Sequence, residues 1–265
     1  MEEGGTKMAA IWTIFKKESK GFFLSPTFYI ICFLLSVIFS WVYPIQLNLF
    51  AELLENYVMQ QGIPLNQLNI HYGVFVRQLS YLNLLLIFVV PALTMKLLAE
   101  EKKMHSFDLL LTSPVTSLQI VVGKYLAALA AVFALVFLAF SYPAVTSLLA
   151  EVQWSTLIVA FVGIFLVGSV YAAMNLFCSS LTESVIIAYV MGVILNVSIW
   201  FIGIGAEVAD SELGRKVFEH ISLNSHLSSL VEGTVRSTAL VFILSLITLF
   251  CFLSERVVES TRWRS

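Results

Sequence analysis

The chain has 265 residues, of which 59% are hydrophobic and only 12% charged, and its mean hydropathy is +0.91. Abundant apolar surface excludes disorder. The balance of 15 Lys and Arg against 17 Asp and Glu, a formal net charge of −2, excludes nucleic acid as a partner. Such a composition is that of an all-α integral membrane protein, so the informative question is where the few charges sit.

The first element is an amphipathic helix over 8–23. Met8, Trp12, Phe15 and Phe22 fall along one stripe, and Thr13, Lys16, Lys17 and Lys20 occupy the other side. This spacing predicts an interfacial helix whose lysines face anionic lipid, which makes membrane lipid an expected partner. Charge-free runs then mark the spans, since a bilayer core takes about 20 apolar helical residues. Six runs qualify: 27–45, 79–95, 125–150, 154–181, 184–206 and 237–254. Ser25-Pro26 suits the start of the first, and Pro143 is an expected kink in the third.

Six crossings place both termini on one side. The amino-terminal segment, the second connection and the tail carry Lys7, Lys16, Lys17, Lys20, Lys96, Lys102, Lys103, Lys124, Arg256, Arg262 and Arg264. The opposite connections hold only Arg77, Arg215, Lys216 and Arg236. The positive-inside rule therefore predicts cytoplasmic termini. The first run is long enough to span and no Ala-x-Ala pattern follows it, so it reads as a span rather than a cleaved signal.

The first outer connection, 46–78, has a helical pattern through Phe50, Leu54 and Tyr57 that Gly62-Ile63-Pro64 interrupts. The second connection, on the cytoplasmic side, is the densest polar stretch. It runs from Lys96 through Glu100, Glu101, Lys102, Lys103 and His105 to Ser106, which can cap a short helix carrying Phe107, Asp108, Leu109, Leu110 and Leu111 before Ser113-Pro114 stops it. A second helix starts near Thr116 or Ser117 and leads into the third span. A short apolar helix outside the bilayer needs a partner surface, either the protein's own underside or another protein. In the outer connection 207–236, Leu213, Val217 and Ile221 form one helical stripe, and Leu223, Leu227, Leu230 and Val231 form another.

No Asp, Glu, Lys, Arg or His falls within the six runs. Ion- or proton-coupled transport normally places such groups near the midplane, so this argues against it. The chain also lacks a Gly-x4-Gly-Lys-[Ser/Thr] phosphate loop, because Gly123-Lys124 is followed by Tyr125 and has no upstream Gly. It is expected to be no enzyme and to carry no cofactor of its own. Cys32, Cys178 and Cys251 lie in apolar runs, and His220 and His226 are spaced for neither one helix face nor a known ligand pattern, so no metal site is expected. Neutral polar stripes do occur. Gly168, Tyr171, Asn175 and Ser179 share a face of the fourth span, and Tyr189, Gly192, Asn196, Trp200 and Gly203 share one of the fifth. These either line a path between two copies or pack helices together through small residues and hydrogen bonds.

The run Glu100-Glu101-Lys102, Asp108-Leu109-Leu110-Leu111-Thr112-Ser113-Pro114 and Gln119-Ile120-Val121-Val122-Gly123-Lys124 resembles the first cytoplasmic loop of ABC-2-type (type V) ABC transporter permeases. The closest likeness is to the gliding-motility-associated permease and its nitrous-oxide-maturation relatives. The amino-terminal helix, the six spans and Ser225-His226-Leu227-Ser228-Ser229-Leu230-Val231-Glu232-Gly233 fit as well, so the resemblance covers nearly the whole chain. Thr234-Val235-Arg236 departs from the acidic-aromatic continuation usual after that Gly. The resemblance implies a single permease domain over 1–265 in a bacterial inner membrane. It further implies that 100–119 is a coupling loop docking into an ATPase dimer that binds the ATP and Mg, and that 207–236 forms re-entrant helices. It also implies a second permease copy or a similar permease, and it allows an auxiliary protein with a large extracytoplasmic domain.

Overall fold

The computed structural model describes residues 2–60, 69–104, 115–208 and 211–262. Among the described residues it contains helices and no strand. Helix α1 spans Glu2–Leu24 and turns at Ser25 into α2, Pro26–Gln60. A short π-helical turn over His71–Phe75 leads into α3, Val76–Thr94, and α4, Lys96–Lys103. Then follow α5, Ser117–Thr146; α6, Trp154–Leu181; α7, Val185–Val208; α8, Glu212–Ile221; α9, Leu223–Val231; and α10, Ser237–Arg262. Six helical stretches are long and apolar enough to cross a membrane, as the composition requires.

Several helices outrun the charge-free stretches. Helix α2 passes through Pro44 and continues past Glu52 and Glu55, because an internal proline forfeits one backbone bond without having to end a helix. Its continuation takes up the Phe50 and Leu54 pattern of the first outer connection. Helix α5 begins at Ser117 under a capping box, in which the Thr116 hydroxyl accepts from the Gln119 backbone N–H at 3.3 Å and Gln119 Oε1 accepts from the Thr116 N–H at 2.8 Å. It therefore contains Lys124, which the charge-free run left outside. Pro143 lies inside α5, and the helix ends one turn later at Thr146.

Helix α6 is the centre of the bundle and touches α3, α5, α7, α9 and α10. In its most apolar stretch 72% of residues are buried, against 22% for α2 and 17% for α7 and α10. Lipid tails are as apolar as leucine, so close approach between small residues must hold such helices together. Ala127, Ala128 and Ala131 of α5 are buried without exposure, whereas Ala134 is half-buried. On the opposite face of the bundle, Phe33 and Trp41 of α2, Ile186 and Ile194 of α7 and Val241 of α10 point outward.

Two anchors hold the far end of the bundle. Tyr43 of α2 donates to Thr146 Oγ1 of α5 at 2.6 Å, and Thr146 donates on to the Tyr142 carbonyl at 3.1 Å. Helix α9 ends at Gly233, whose φ of +85° is the left-handed turn glycine favours. His71 then closes this corner: its Nε2 donates to the Val231 carbonyl at 2.8 Å, tying α9 to the turn before α3 across 160 residues.

Candidate coupling site at the amino-terminal end of the bundle

Residues 105–114, which hold Ser106, Phe107, Asp108, Leu109, Leu110, Leu111 and Pro114, lie outside the described residues, but both roots of that segment are defined. On the entering side α3 breaks at Met95 before α4 resumes. The first backbone N–H groups of a helix have no partner within it. Ser179 of α6 supplies one: its Oγ accepts from Leu98 N–H at 3.1 Å and Ala99 N–H at 3.0 Å, and donates to the Met95 carbonyl at 2.9 Å. One turn on, Lys102 Nζ donates to the Ser180 carbonyl, a cation at the carboxyl end of α6 where the helix dipole is negative. On the leaving side Ser117 of α5 donates to Glu259 of α10, and Arg262 of α10 reaches the Val115 carbonyl at 3.4 Å.

The third tie is ionic and lies deeper. Lys124 of α5 is 1% exposed, and its Nζ sits 2.9 Å from Glu18 Oε1 of α1, 2.9 Å from Glu101 Oε2 of α4 and 2.6 Å from the Leu97 carbonyl. A buried ammonium is tolerated only when paired and hydrogen-bonded, and here it donates to Glu18 and to the Leu97 carbonyl and is ion-paired with Glu101. Lys17 joins from the surface at 3.2 Å from Glu101 Oε1. Burial works against its charge, but Glu101 and then Glu18 more than offset this and hold the Lys17 ammonium above its ordinary range. Gly123 allows α1 to cross so closely, because a Cβ there would stand 2.8 Å from Ile14 Cβ and 3.2 Å from the Ile11 carbonyl. The roots of the 105–114 segment are thus bound to α1, α5, α6 and α10.

The sequence matches the family model of ABC-2 family transporter proteins over residues 12–262, nearly its whole length. The chain belongs to the ABC-2 family of transporter proteins. It is therefore a multi-pass membrane permease subunit of an ABC transporter, and its family implies partnership with an ABC ATPase rather than ATPase activity of its own. No curated protein matches it.

In this ABC-2 permease the residues singled out from sequence fall into separate groups. Glu101 and Lys102 belong to the junction just described, and Glu100 is exposed on the adjoining turn of α4. On α1, Trp12 is 55% exposed and stacks on Phe15 at 5.0 Å, with Lys16 5.6 Å above the Trp12 ring. Lys20 is exposed beside them, whereas Phe22 turns inward to pack on the core. The face of α1 that meets the protein is Ile14, Glu18 and Phe22, four residues apart, so the predicted stripe is divided between solvent or lipid and the bundle.

Tyr171, Asn175 and Asn196 are buried and bonded among themselves. Tyr171 donates to Asn83 Oδ1 of α3 at 3.1 Å, Asn175 Nδ2 donates to the Tyr171 carbonyl at 2.6 Å and lies 3.4 Å from Asn196 Oδ1, and Asn196 Nδ2 donates to the Ile87 carbonyl at 3.1 Å. Ser179 belongs to the α4 contact, and Tyr189 is half-buried. The cluster joins α3, α6 and α7, and Gly192 lets it close: a Cβ at that position would stand 1.8 Å from Asn175 Oδ1.

His220 is exposed, and His226 lies against Phe242 with ring centroids 4.6 Å apart while its Nε2 donates to the His220 carbonyl at 3.1 Å. Among the described residues no group of three His, Cys, Asp or Glu is placed to hold a metal. Sequence reasoning missed Lys124, Glu18 and Gly123. The available signal was Glu18 itself, a carboxylate in line with Ile14 and Phe22 on the otherwise apolar face of α1.

Proposed function

We propose that this permease is driven by a separate ATPase dimer that docks on residues 105–114, and that the junction at Lys124 carries the resulting displacement into the spans. ATP and Mg belong to that partner. The observation supporting this reading is the gripping of both roots of 105–114 by α1, α5, α6 and α10. A loop that merely connected two spans needs no such attachment. A second permease copy completes the translocation unit, with both termini and the docking segment on the cytoplasmic side of a bacterial inner membrane. Alternating exposure then follows from a two-state bundle biased by the nucleotide state of the ATPase.

In this reading docking is carried by the apolar residues Phe107, Leu109, Leu110 and Leu111. The variant Leu109→Asp/Leu110→Asp places two carboxylates in that contact and should reduce recovery of the ATPase with the purified permease by about 100-fold or more, since each buried charge without a partner costs several kcal/mol. Membrane insertion should be unchanged, as no span is touched. Undiminished ATPase recovery contradicts the docking assignment.

A second reading is supported by the Tyr171–Asn175–Asn196 cluster, in which the Tyr171 hydroxyl and both amide nitrogens bond within one chain, while Asn175 Oδ1 is buried with no hydrogen-bond partner among the described residues. In that reading the permease transmits ATPase motion to an auxiliary protein with an extracytoplasmic domain, as the resemblance to gliding-motility permeases implies, and moves no solute. ATP-dependent transport of a defined lipid or glycan into vesicles by the reconstituted assembly separates the two readings.

A further inference from the structure

Beside the Lys124 junction lies an open cleft of about 550 Å³ between α1, the start of α2 and the α3–α4 segment. Its floor is apolar, formed by Phe22, Phe28, Leu93 and Leu97, and its rim carries Lys17, Lys96 and Glu100. It sits where α1 turns into the first candidate span and where the second gives way to charged α4. Gly21 lines the cleft beside open space, where a Cβ would meet nothing within 4 Å and a larger side chain has room to enter. Its volume is within the range of ligand sites, about 300–1,000 Å³, and its apolar body with a few convergent polar groups has the composition of one.

The charge arrangement selects the occupant. Glu18 and Glu101 are already matched by Lys124 and Lys17. What remains on the rim is one cation and one anion, Lys96 and Glu100, four residues apart on α4, both exposed, both lining the cleft and neither in an ion pair among the described residues. A purely anionic headgroup would satisfy Lys96 and be repelled by Glu100. A zwitterionic headgroup with a phosphate and a primary ammonium satisfies both, and its acyl chains continue over Phe22 and Phe28 into the bilayer.

We propose that this cleft binds one phosphatidylethanolamine molecule, with its phosphate on Lys96, its ammonium on Glu100 and its chains on the Phe22–Phe28 floor. The bound lipid fills the space between α1 and α4, next to the ion pairs that join them. This inference depends on the membrane placement of α1 and is independent of which ATPase drives the permease.

The test uses the full-length protein reconstituted in vesicles of equimolar phosphatidylethanolamine and phosphatidylglycerol, extracted gently and weighed by native mass spectrometry. One phosphatidylethanolamine per chain should be retained over phosphatidylglycerol. Gly21→Trp, which fills the cleft, should lower that retention about tenfold. Lys96→Ala/Glu100→Gln, confined to two exposed side chains, should abolish the preference between the two lipids even if the Gly21 variant folds poorly. Equal retention of both lipids by the unaltered protein, or retention and preference unchanged in the folded variants, overturns the proposal.

Discussion

Replacing Lys124 by Met is expected to destabilise the protein by about 3–5 kcal/mol, the usual consequence of removing one partner from a buried ion pair. The side chain is 1% exposed and is held by two carboxylates and a carbonyl, so its loss removes the buried cation shared by Glu18 and Glu101 and leaves the surface cation Lys17 beside them. Methionine fills nearly the same volume, which confines the effect to charge. The thermal midpoint of the purified protein should fall, and α1 should become accessible to protease before the spans do, because α5 and the ion pairs are its main attachment. The variant Lys124→Met/Glu18→Gln/Glu101→Gln removes every member of the group at once and should recover at least half of the loss. A triple variant no more stable than the single one would show that packing of the lysine stem, rather than its charge, holds the junction.

Gly192→Ala is the second large effect, about 2–4 kcal/mol from overpacking together with an orphaned amide. The added methyl would occupy the place of Asn175 Oδ1, 1.8 Å away, and stand 3.4 Å from Pro91 Cβ. Relief requires Asn175 to move, which takes its Nδ2 away from the Tyr171 carbonyl and Asn196. Interhelical hydrogen bonds inside a bilayer average only about 0.6 kcal/mol. Steric exclusion therefore outweighs the lost bonds, and shortening Asn175 to Ala in the same chain should restore stability to within about 1 kcal/mol of the unaltered protein. Failure of that second substitution to compensate would mean that the hydrogen bonds dominate. The readout is the thermal midpoint of each single variant and the double variant under one condition.

Hydropathy marks where the bilayer is, not where a helix stops. The fourth run coincides with α6, Trp154–Leu181, because loop and bilayer boundary fall together there, whereas the first ends well short of α2. Helix α2 leaves the apolar zone and keeps its backbone bonds through Pro44, Glu52 and Glu55, none of which changes its local conformational preference enough to break it. The corner built by His71 and Gly233 was legible only in part. Glycine at 233 could be read as a turn, but the bond from His71 to the Val231 carbonyl joins residues 160 apart and has no local signature.

The candidate site was legible as a segment and hidden as a network. Glu101 and Lys102 stood out because they lie in the densest polar stretch, yet Lys124 was grouped with the loop cations. Its burial depends on α1 lying across Gly123, a tertiary event that charge counting does not see. Tyr171, Asn175 and Asn196 were identified by helical spacing. Their partners Asn83 and the Ile87 carbonyl lie on α3, a contact between helices that spacing within one helix does not reveal.

The central claim, that this permease is moved by a separate ATPase acting through residues 105–114, is tested most directly by ATP hydrolysis in the complex purified on this chain from its native membrane. The account predicts hydrolysis that resides in a co-purifying ATPase subunit, is absent from the isolated permease and disappears from the complex recovered with Leu109→Asp/Leu110→Asp. Full hydrolysis in the complex of that variant, or a permease that conducts solute without nucleotide and without any ATPase bound, would contradict it.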